Sequence, residues 1–312
     1  MSFKKPGGRG IPLLPFTQKA AGEIRGDRVP RFLVTAVAML GIVIMCFILF
    51  FLTKEGIPIL RHATLSDLLL GKLWYPAMEP PKFGMLPLIV GSLSATLLAA
   101  LLALPISLAL AVFLSDVCPP ILREFFKPII EILGFLPSVV LGFIGMIVLA
   151  PFLQQRFELL SGLNLFNASL LLGIMVIPIV VSIAEDSLSA VPRSLRDASY
   201  ALGATSCETI CGVVIPAALP GILQACLLGV MRAVGETMVV LMAAGGAAMI
   251  PESIMDPVRP LTSTIAAEMG ETAVGSPHYH ALFFMGLLLL LLTLAINLIA
   301  AKVEARGKRW QS

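Results

Sequence analysis

Long runs without Asp, Glu, Lys or Arg divide this chain. Five such runs contain twenty or more residues: 32–53, 83–115, 132–155, 159–184 and 280–301. Each is long enough for a helix to cross a hydrocarbon layer, which takes roughly 20 residues. A sixth run, 209–251, is equally apolar but contains Arg232 and Glu236 near its middle. Because the runs lack the strict alternation of a barrel, we predict six membrane-spanning helices.

Composition supports the membrane assignment and narrows the fold class. The chain is 58% hydrophobic and 13% charged, with a mean hydropathy of +0.96, whereas about a quarter of the residues in a typical soluble domain are charged. A soluble fold could not bury so much apolar surface. We therefore predict an all-α, polytopic membrane bundle of about six helices in contact with lipid. The net charge of +3 gives no indication of nucleic-acid binding.

Lys and Arg are distributed unequally between the two sides of the six spans. One side has fifteen: Lys4, Lys5, Arg9, Lys19, Arg25, Arg28, Arg31, Arg123, Lys127, Arg193, Arg196, Lys302, Arg306, Lys308 and Arg309. The other has six: Lys54, Arg61, Lys72, Lys82, Arg156 and Arg259. Because cytoplasmic loops carry the basic excess, we predict that both termini and the loops 116–128 and 185–208 are cytoplasmic. The predicted organisation has three parts: an N-terminal tail (1–29), a transmembrane domain (30–303) with a cytoplasmic segment at 185–216, and a C-terminal tail (304–312).

The cytoplasmic segment 185–216 is predicted to fold into two short helices. Pro192 suits the first turn of a helix, and Gly203 is a typical helix end. A second helix is predicted to follow Thr205. Two short helices joined at a glycine form a compact projection that fits a groove on a soluble partner. The alternative is that Asp197 and Gly203 only cap an ordinary helix.

The same segment resembles a family signature. It contains, in order, Asp197, Ala198, Ser199, Gly203, Val213, Ile215 and Pro216. The spacing resembles the EAA motif of ABC-importer permeases: Glu-Ala-Ala, three residues, Gly, nine residues, Ile, one residue, Leu-Pro. The resemblance implies the MetI-like permease fold and a coupling helix that sits in a cleft of the ATP-binding subunit. The chain has no Gly-x-x-x-x-Gly-Lys-Ser/Thr phosphate loop, so we expect no cofactor here and ATP use by a partner ATPase subunit.

Arg232 and Glu236 are ionisable residues within an apolar span, where such groups are costly unless paired or hydrated. At positions i and i+4 they share one helix face and are close enough to form an ion pair. One interpretation is a structural pair that locks helices together. The other is a substrate path, in which the guanidinium fork binds two oxygens of a passing anion. Thr237 either adds a hydroxyl donor to this path or bonds back to its own helix.

The residues around this pair resemble a narrower class. The run Arg232-Ala-Val-Gly-Glu-Thr-Met238 resembles the Arg-Ala-x-Gly-Glu-Thr signature of phosphate-transport permeases, in which the arginine and glutamate are implicated in phosphate passage. Two further segments, 134–145 and 256–270, also resemble this class, and the second of them, together with 83–92, favours its PstC type. The resemblance covers most of residues 30–300.

The resemblance implies an ATP-driven importer of inorganic phosphate in the bacterial inner membrane. Its implied partners are a second, PstA-like permease, a dimer of PstB-like ATP-binding subunits and an extracytoplasmic PstS-like phosphate-binding protein. The permease would not itself be an enzyme. Arg259, between two prolines on the extracytoplasmic side, either receives an anion or a binding protein, or is a solvated loop residue.

The sequence pattern also fits or can be tested against two other classes of function. In an ion-coupled secondary transporter or channel, Arg232 and Glu236 would form a gate or proton relay. An intramembrane hydrolase would need a serine, histidine and acid arrangement or His-Glu-x-x-His, and the sequence contains neither. The three histidines, His62, His278 and His280, all fall in predicted extracytoplasmic segments.

Overall fold

The computed structural model describes the backbone of residues 28–308 and the side chains of residues 32–299 and 301. Residues 1–27 of the predicted N-terminal tail and 309–312 of the predicted C-terminal tail lie outside the described residues. The chain divides into two units, 1–51 and 52–312. The site described below lies in the second unit.

The described chain is built mainly of helices. In order they are α1 (Arg28–Gly56), α2 (Leu65–Leu70), α3 (Leu86–Val112), α4 (Pro120–Gly134), α5 (Ser138–Ile144), α6 (Ala150–Phe157), α7 (Leu165–Ser189), α8 (Arg193–Ala201), α9 (Ser206–Thr209), α10 (Ile215–Val234), α11 (Met238–Ala243), α12 (Leu261–Glu268) and α13 (Pro277–Lys308). A 3₁₀ turn (Ile57–Arg61) follows α1, and π-turns lie at Phe113–Val117, Gly145–Leu149 and Ile210–Val214. A short antiparallel pair, β1 (Trp74–Tyr75) and β2 (Lys82–Phe83), precedes α3.

Six helical segments of the described chain are long and apolar enough to cross a membrane. They are Phe32–Arg61, Leu86–Val117, Ser138–Phe157, Leu165–Ser189, Ser206–Val234 and Pro277–Ile299. The predicted all-α fold with six spans is therefore confirmed. The strand pair between the first two spans is a small addition that the apolar pattern did not indicate.

The third span begins later than the apolar run predicts. It starts at Ser138, because residues 120–134 form the separate amphipathic helix α4, which ends in a turn before Pro137. The apolar face of α4 continues the hydrophobic run, so the sequence pattern merges two helices into one. The segment after Gly203 also differs from prediction. Its helix α9 continues through a π-turn into the fifth span and is not a separate short helix.

The polar face of α4 is bound to the end of α7. Arg123 and Lys127 both pair with Glu185, whose side chain is 1% exposed, and the ammonium group of Lys127 lies 2.6 Å from a carboxylate oxygen of Asp186. Burial alone would lower the pKa of Lys127, but the hydrogen bonds and negative charges of Asp186 and Glu185 outweigh it and raise that pKa above its ordinary value.

The fourth span, α7, lies at the centre of the second unit. It is the most enclosed of the six spans of the described chain, with 61% of its most apolar stretch buried. Small residues let neighbouring helices approach it closely. A Cβ atom added at Gly229 of α10 would lie 2.5 Å from a methyl carbon of Val180 and 2.9 Å from one of Val176. The tight packing of α10 on α7 fixes the position of the charged residues of the fifth span along the axis of α7.

Candidate functional site

The charged pair of the fifth span lies at a break in the helix. Arg232 is in the last turn of α10, which ends at Val234, and Glu236 follows the break. The guanidinium Nη1 atom lies 2.7 Å from the Glu236 Oε2 atom. The expected ion pair therefore forms, but the prediction that both residues lie on one continuous helix is wrong. Gly235 ends the helix, and the short helix α11 begins at Met238.

The two members of the pair differ in exposure. The Glu236 side chain is 5% exposed, whereas that of Arg232 is 43% exposed. Glu236 also accepts hydrogen bonds at its Oε1 atom from the backbone N–H groups of Met238 and Val239, at 3.2 and 3.4 Å. These are unpaired donors of the first turn of α11. Glu236 is thus held by the backbone, while the guanidinium is the part of the pair that a solute can reach.

The open side of Arg232 is the chemically important feature. In the part of the chain that the structure describes, its guanidinium makes no hydrogen bond other than the one to Glu236. Two of its three nitrogen atoms therefore remain available as donors. Such a fork can bind two oxygens of one oxyanion at once.

The break between α10 and α11 is held by hydrogen bonds from α12, which follows later in the chain. The Thr262 hydroxyl donates a hydrogen bond of 2.7 Å to the backbone carbonyl of Glu236. The first backbone N–H of α12, that of Leu261, donates to the Ser92 hydroxyl of the second span at 2.8 Å. Thr262, Leu261 and Ser92 are buried. The pair is therefore positioned by a chain of hydrogen bonds that runs from the second span through α12 to the fifth.

Thr262 and Ser92 are not among the site residues that the sequence predicts. For Thr262 the signal is three consecutive hydroxyl residues, Thr262, Ser263 and Thr264, at the start of a short helix, and the sequence gives no such signal for Ser92. All three are buried. Ser263 and Thr264 bond to the carbonyl of Pro260 in their own helix, and only Thr262 reaches the fifth span. The sequence alone does not distinguish these three hydroxyl groups.

Thr237 and Arg259 were also predicted on the substrate path. The Thr237 hydroxyl lies 3.5 Å from the carbonyl oxygen of Gly235, which corresponds to the expected back-bonding alternative. Arg259 does not contact the Arg232–Glu236 pair among the described side chains. Its Nη1 atom donates to Glu268 at 2.7 Å.

Glu268 is the centre of a second polar cluster. Its carboxylate accepts hydrogen bonds from the Trp74 indole at 3.2 Å and lies 2.7 Å from the His278 Nε2 atom, besides pairing with Arg259. The Arg259 side chain is 26% exposed. Arg259 is therefore partly buried and paired, which differs from the solvated loop residue of the second alternative.

The predicted coupling residues lie on α8 and the start of the fifth span. Asp197 and Ala198 are exposed on α8, and the helix ends before Gly203, whose φ of +88° is a backbone conformation that favours glycine. The Ser199 hydroxyl lies 2.9 Å from that of buried Thr209. This contact fastens α8 to the fifth span.

The second half of the motif packs into the span. Val213 and Ile215 are half-buried, and Pro216 is exposed in the first turn of α10. Leu195 and Tyr200 of α8, and Leu202 directly after its end, are 45%, 47% and 91% exposed. An exposed apolar surface on a short, firmly held helix is typical of a docking site for another protein.

Comparisons with known proteins agree with this architecture. Residues 103–309 match the family described as "Binding-protein-dependent transport system inner membrane component". The chain is 38% identical over 288 residues, 92% of each chain, to the probable ABC transporter permease protein YqgH of Bacillus subtilis. It is 35% identical over 256 residues to the phosphate transport system permease protein PstC of Mesorhizobium japonicum, covering 75% of this chain and 77% of that one.

Solved structures show the same fold. A chain of the inward-facing MetNI methionine ABC transporter matches with a TM-score of 0.54 and 22% identity, over 70% of this chain and 93% of that one. A chain of a bacterial importer of the acidic polysaccharide alginate matches with a TM-score of 0.59 and 14% identity, over 89% and 97% of the two chains. Members of the matched family have no catalytic activity of their own and work with an ATPase, a second permease and a binding protein. The chain therefore belongs to the binding-protein-dependent inner membrane transport components, as a multi-pass permease of an ABC importer.

Proposed function

We propose that this permease imports inorganic phosphate and that Arg232 binds the anion during its passage. The observation that carries the proposal is the half-exposed guanidinium of Arg232, with two nitrogen atoms free of hydrogen bonds within the described chain, inside an otherwise apolar span. Relatives named as phosphate transport permeases support the choice of anion, at 28–35% identity. A tetrahedral oxyanion suits the fork geometry of these donors.

Glu236 has a distinct part in this proposal. A lone guanidinium in a low-dielectric path would bind a multivalent anion too strongly for rapid release. The Glu236 carboxylate, 2.7 Å away, lowers the local positive potential and leaves the open nitrogens as donors. The anion is then passed on and not trapped. Thr237 and Arg259 are proposed as weaker participants, Arg259 as a basic group towards the extracytoplasmic side.

The proposed assembly follows from the family. A PstA-like permease would form the other wall of the path, and a PstS-like protein would deliver phosphate. Two PstB-like ATPase subunits would drive transport, and one of them would bind the α8 region through Asp197, Ala198 and Gly203, with both termini of the chain in the cytoplasm. ATP binding closes the ATPase dimer and displaces the coupling helices. The membrane helices then change between inward-open and outward-open states.

Reconstituted vesicles test the energy source of this proposal. With ATPase, second permease and binding protein present, uptake of radiolabelled phosphate should require ATP and should survive ionophores that collapse proton and sodium gradients. The same assay without ATP but with imposed gradients is the control. Uptake driven by a gradient in the absence of ATP would favour the secondary-transporter alternative.

Thr262→Val is expected to lower the maximal rate of phosphate uptake about fivefold. The substitution keeps the volume but removes the hydroxyl that holds the Glu236 carbonyl, and a typical intramolecular hydrogen bond contributes about 1 kcal/mol. Thr262→Ser keeps the donor and should restore uptake. The matched control is Thr264→Val, whose hydroxyl bonds only within its own helix. Equal losses in Thr262→Val and Thr264→Val would contradict a specific role for Thr262.

A further inference from the structure

Arg196 connects the predicted coupling helix to two membrane spans. Its Nη1 atom donates to a carboxylate oxygen of Asp116, which lies in the π-turn Phe113–Val117 at the end of the second span. Its Nη2 atom donates to the backbone carbonyl of Leu188, in the last turn of α7, at 2.9 Å. One guanidinium group on α8 thus holds the ends of the second and fourth spans together.

The acid at this junction depends on Arg196. The Asp116 side chain is 3% exposed, and that of Arg196 is 21% exposed. The second carboxylate oxygen of Asp116 is buried and has no hydrogen-bond partner among the described residues. A buried carboxylate with a single cationic partner is a strongly coupled pair, unlike an exposed surface ion pair. Separating Arg196 from Asp116 is therefore costly, and the two are expected to move together.

The same end of the spans is connected to α4. Ser115, next to Asp116, has its hydroxyl 3.3 Å from that of Ser189. The Ser189 hydroxyl accepts a hydrogen bond from Arg123 of α4 at 2.8 Å and donates one to Glu185 at 2.9 Å. Polar contacts, together with the adjacent backbone of Ser115 and Asp116, thus connect α8 with the ends of two spans and with α4.

We propose that Arg196 is a positioning residue that transmits the displacement of α8 to the second and fourth spans. The inference rests on the proposed docking of the ATPase at α8. Docking of the ATPase and contact with the spans use different residues of α8. Asp197 and Ala198 are exposed, whereas Arg196 pairs with the buried Asp116. Coupling between distant sites needs such a rigid connection with both ends fixed. Loss of Arg196 should uncouple ATP hydrolysis from transport and leave the ATPase bound.

The test uses the full complex of both permeases, ATPase and binding protein in vesicles, with radiolabelled inorganic phosphate. For Arg196→Gln, the ATPase should copurify as with the wild type and still hydrolyse ATP. Phosphate transported per ATP should fall at least about fivefold, the lower end of typical coupling energies. The matched control is Arg193→Gln on the same helix. Arg193 is exposed and makes no hydrogen bond or ion pair with other described residues.

A double-mutant cycle protects the test against simple misfolding. Asp116→Asn alone should lower transport per ATP, and the double variant should lose no more than Arg196→Gln, because both substitutions remove the Arg196–Asp116 contact. Unchanged transport per ATP in Arg196→Gln would overturn the proposal, and so would loss of ATPase binding in that variant. Failure of the docking assignment would be seen separately, as unchanged ATPase copurification with Gly203→Asp.

Discussion

Arg232→Gln is expected to abolish phosphate uptake while expression and ATPase copurification remain at wild-type levels. Glutamine keeps hydrogen-bonding capacity but loses the positive charge and the fork of donors that remain open beside Glu236. Hydrogen bonds to charged groups contribute about 1.5–3 kcal/mol each, so the loss of two such bonds to an oxyanion reduces uptake by at least about 100-fold. The measurement is uptake of radiolabelled phosphate by cells that express the wild type or Arg232→Gln.

A paired variant separates the substrate path from a purely structural ion pair. Arg232→Gln removes the anion donors and the ion pair together, because the buried Glu236 carboxylate loses its cation. In the double variant Arg232→Gln with Glu236→Gln the uncompensated charge is gone. The path account predicts that this variant folds, assembles and still takes up no phosphate. Recovery of uptake in the double variant would show that the pair only locks the helices.

Gly203→Asp is expected to prevent copurification of the ATPase with the permease. At φ +88° a side chain is strained even though no atom lies within 4 Å of the added Cβ. Relief of that strain shifts the end of α8, and the new carboxylate lies next to the exposed Leu202. Pull-down of the ATPase from detergent-solubilised membranes measures the effect.

Gly275→Asp is the matched control for backbone strain. Gly275 has a φ of +79°, and a Cβ there also meets no atom within 4 Å, but it lies in the turn between α12 and α13. The ATPase should still copurify with this variant. If both glycine variants lose the ATPase equally, or if Gly203→Asp retains it, the assignment of α8 as the docking helix is wrong.

The six spans could be predicted from the sequence because lipid allows few solutions. A run longer than about 20 apolar residues in a bilayer must satisfy its backbone within one helix. The same reasoning fails where an apolar run contains a break. Nothing local to residues 209–251 ends the helix at Gly235, since a single glycine is tolerated within a membrane helix.

The break depends on contacts that are distant in sequence. Thr262 satisfies the carbonyl of Glu236 from 26 residues away. Similarly, the partners of Glu268 include Trp74, 194 residues distant. Charge and spacing therefore identified Arg232, Glu236 and Arg259 as unusual residues. The spacing also predicts the Arg232–Glu236 pair, whereas only the fold shows that Arg259 belongs to the separate cluster around Glu268.

The central claim is that this permease carries phosphate past Arg232 at the expense of ATP used by its partner. The most direct measurement is uptake of radiolabelled phosphate by cells that lack this chain and are supplied with the wild type or with Arg232→Gln. We predict that the wild type restores ATP-dependent uptake and that Arg232→Gln does not. Two results would contradict the account: phosphate uptake by the Arg232→Gln cells at the rate of the wild type, or phosphate uptake that does not change when the chain is absent.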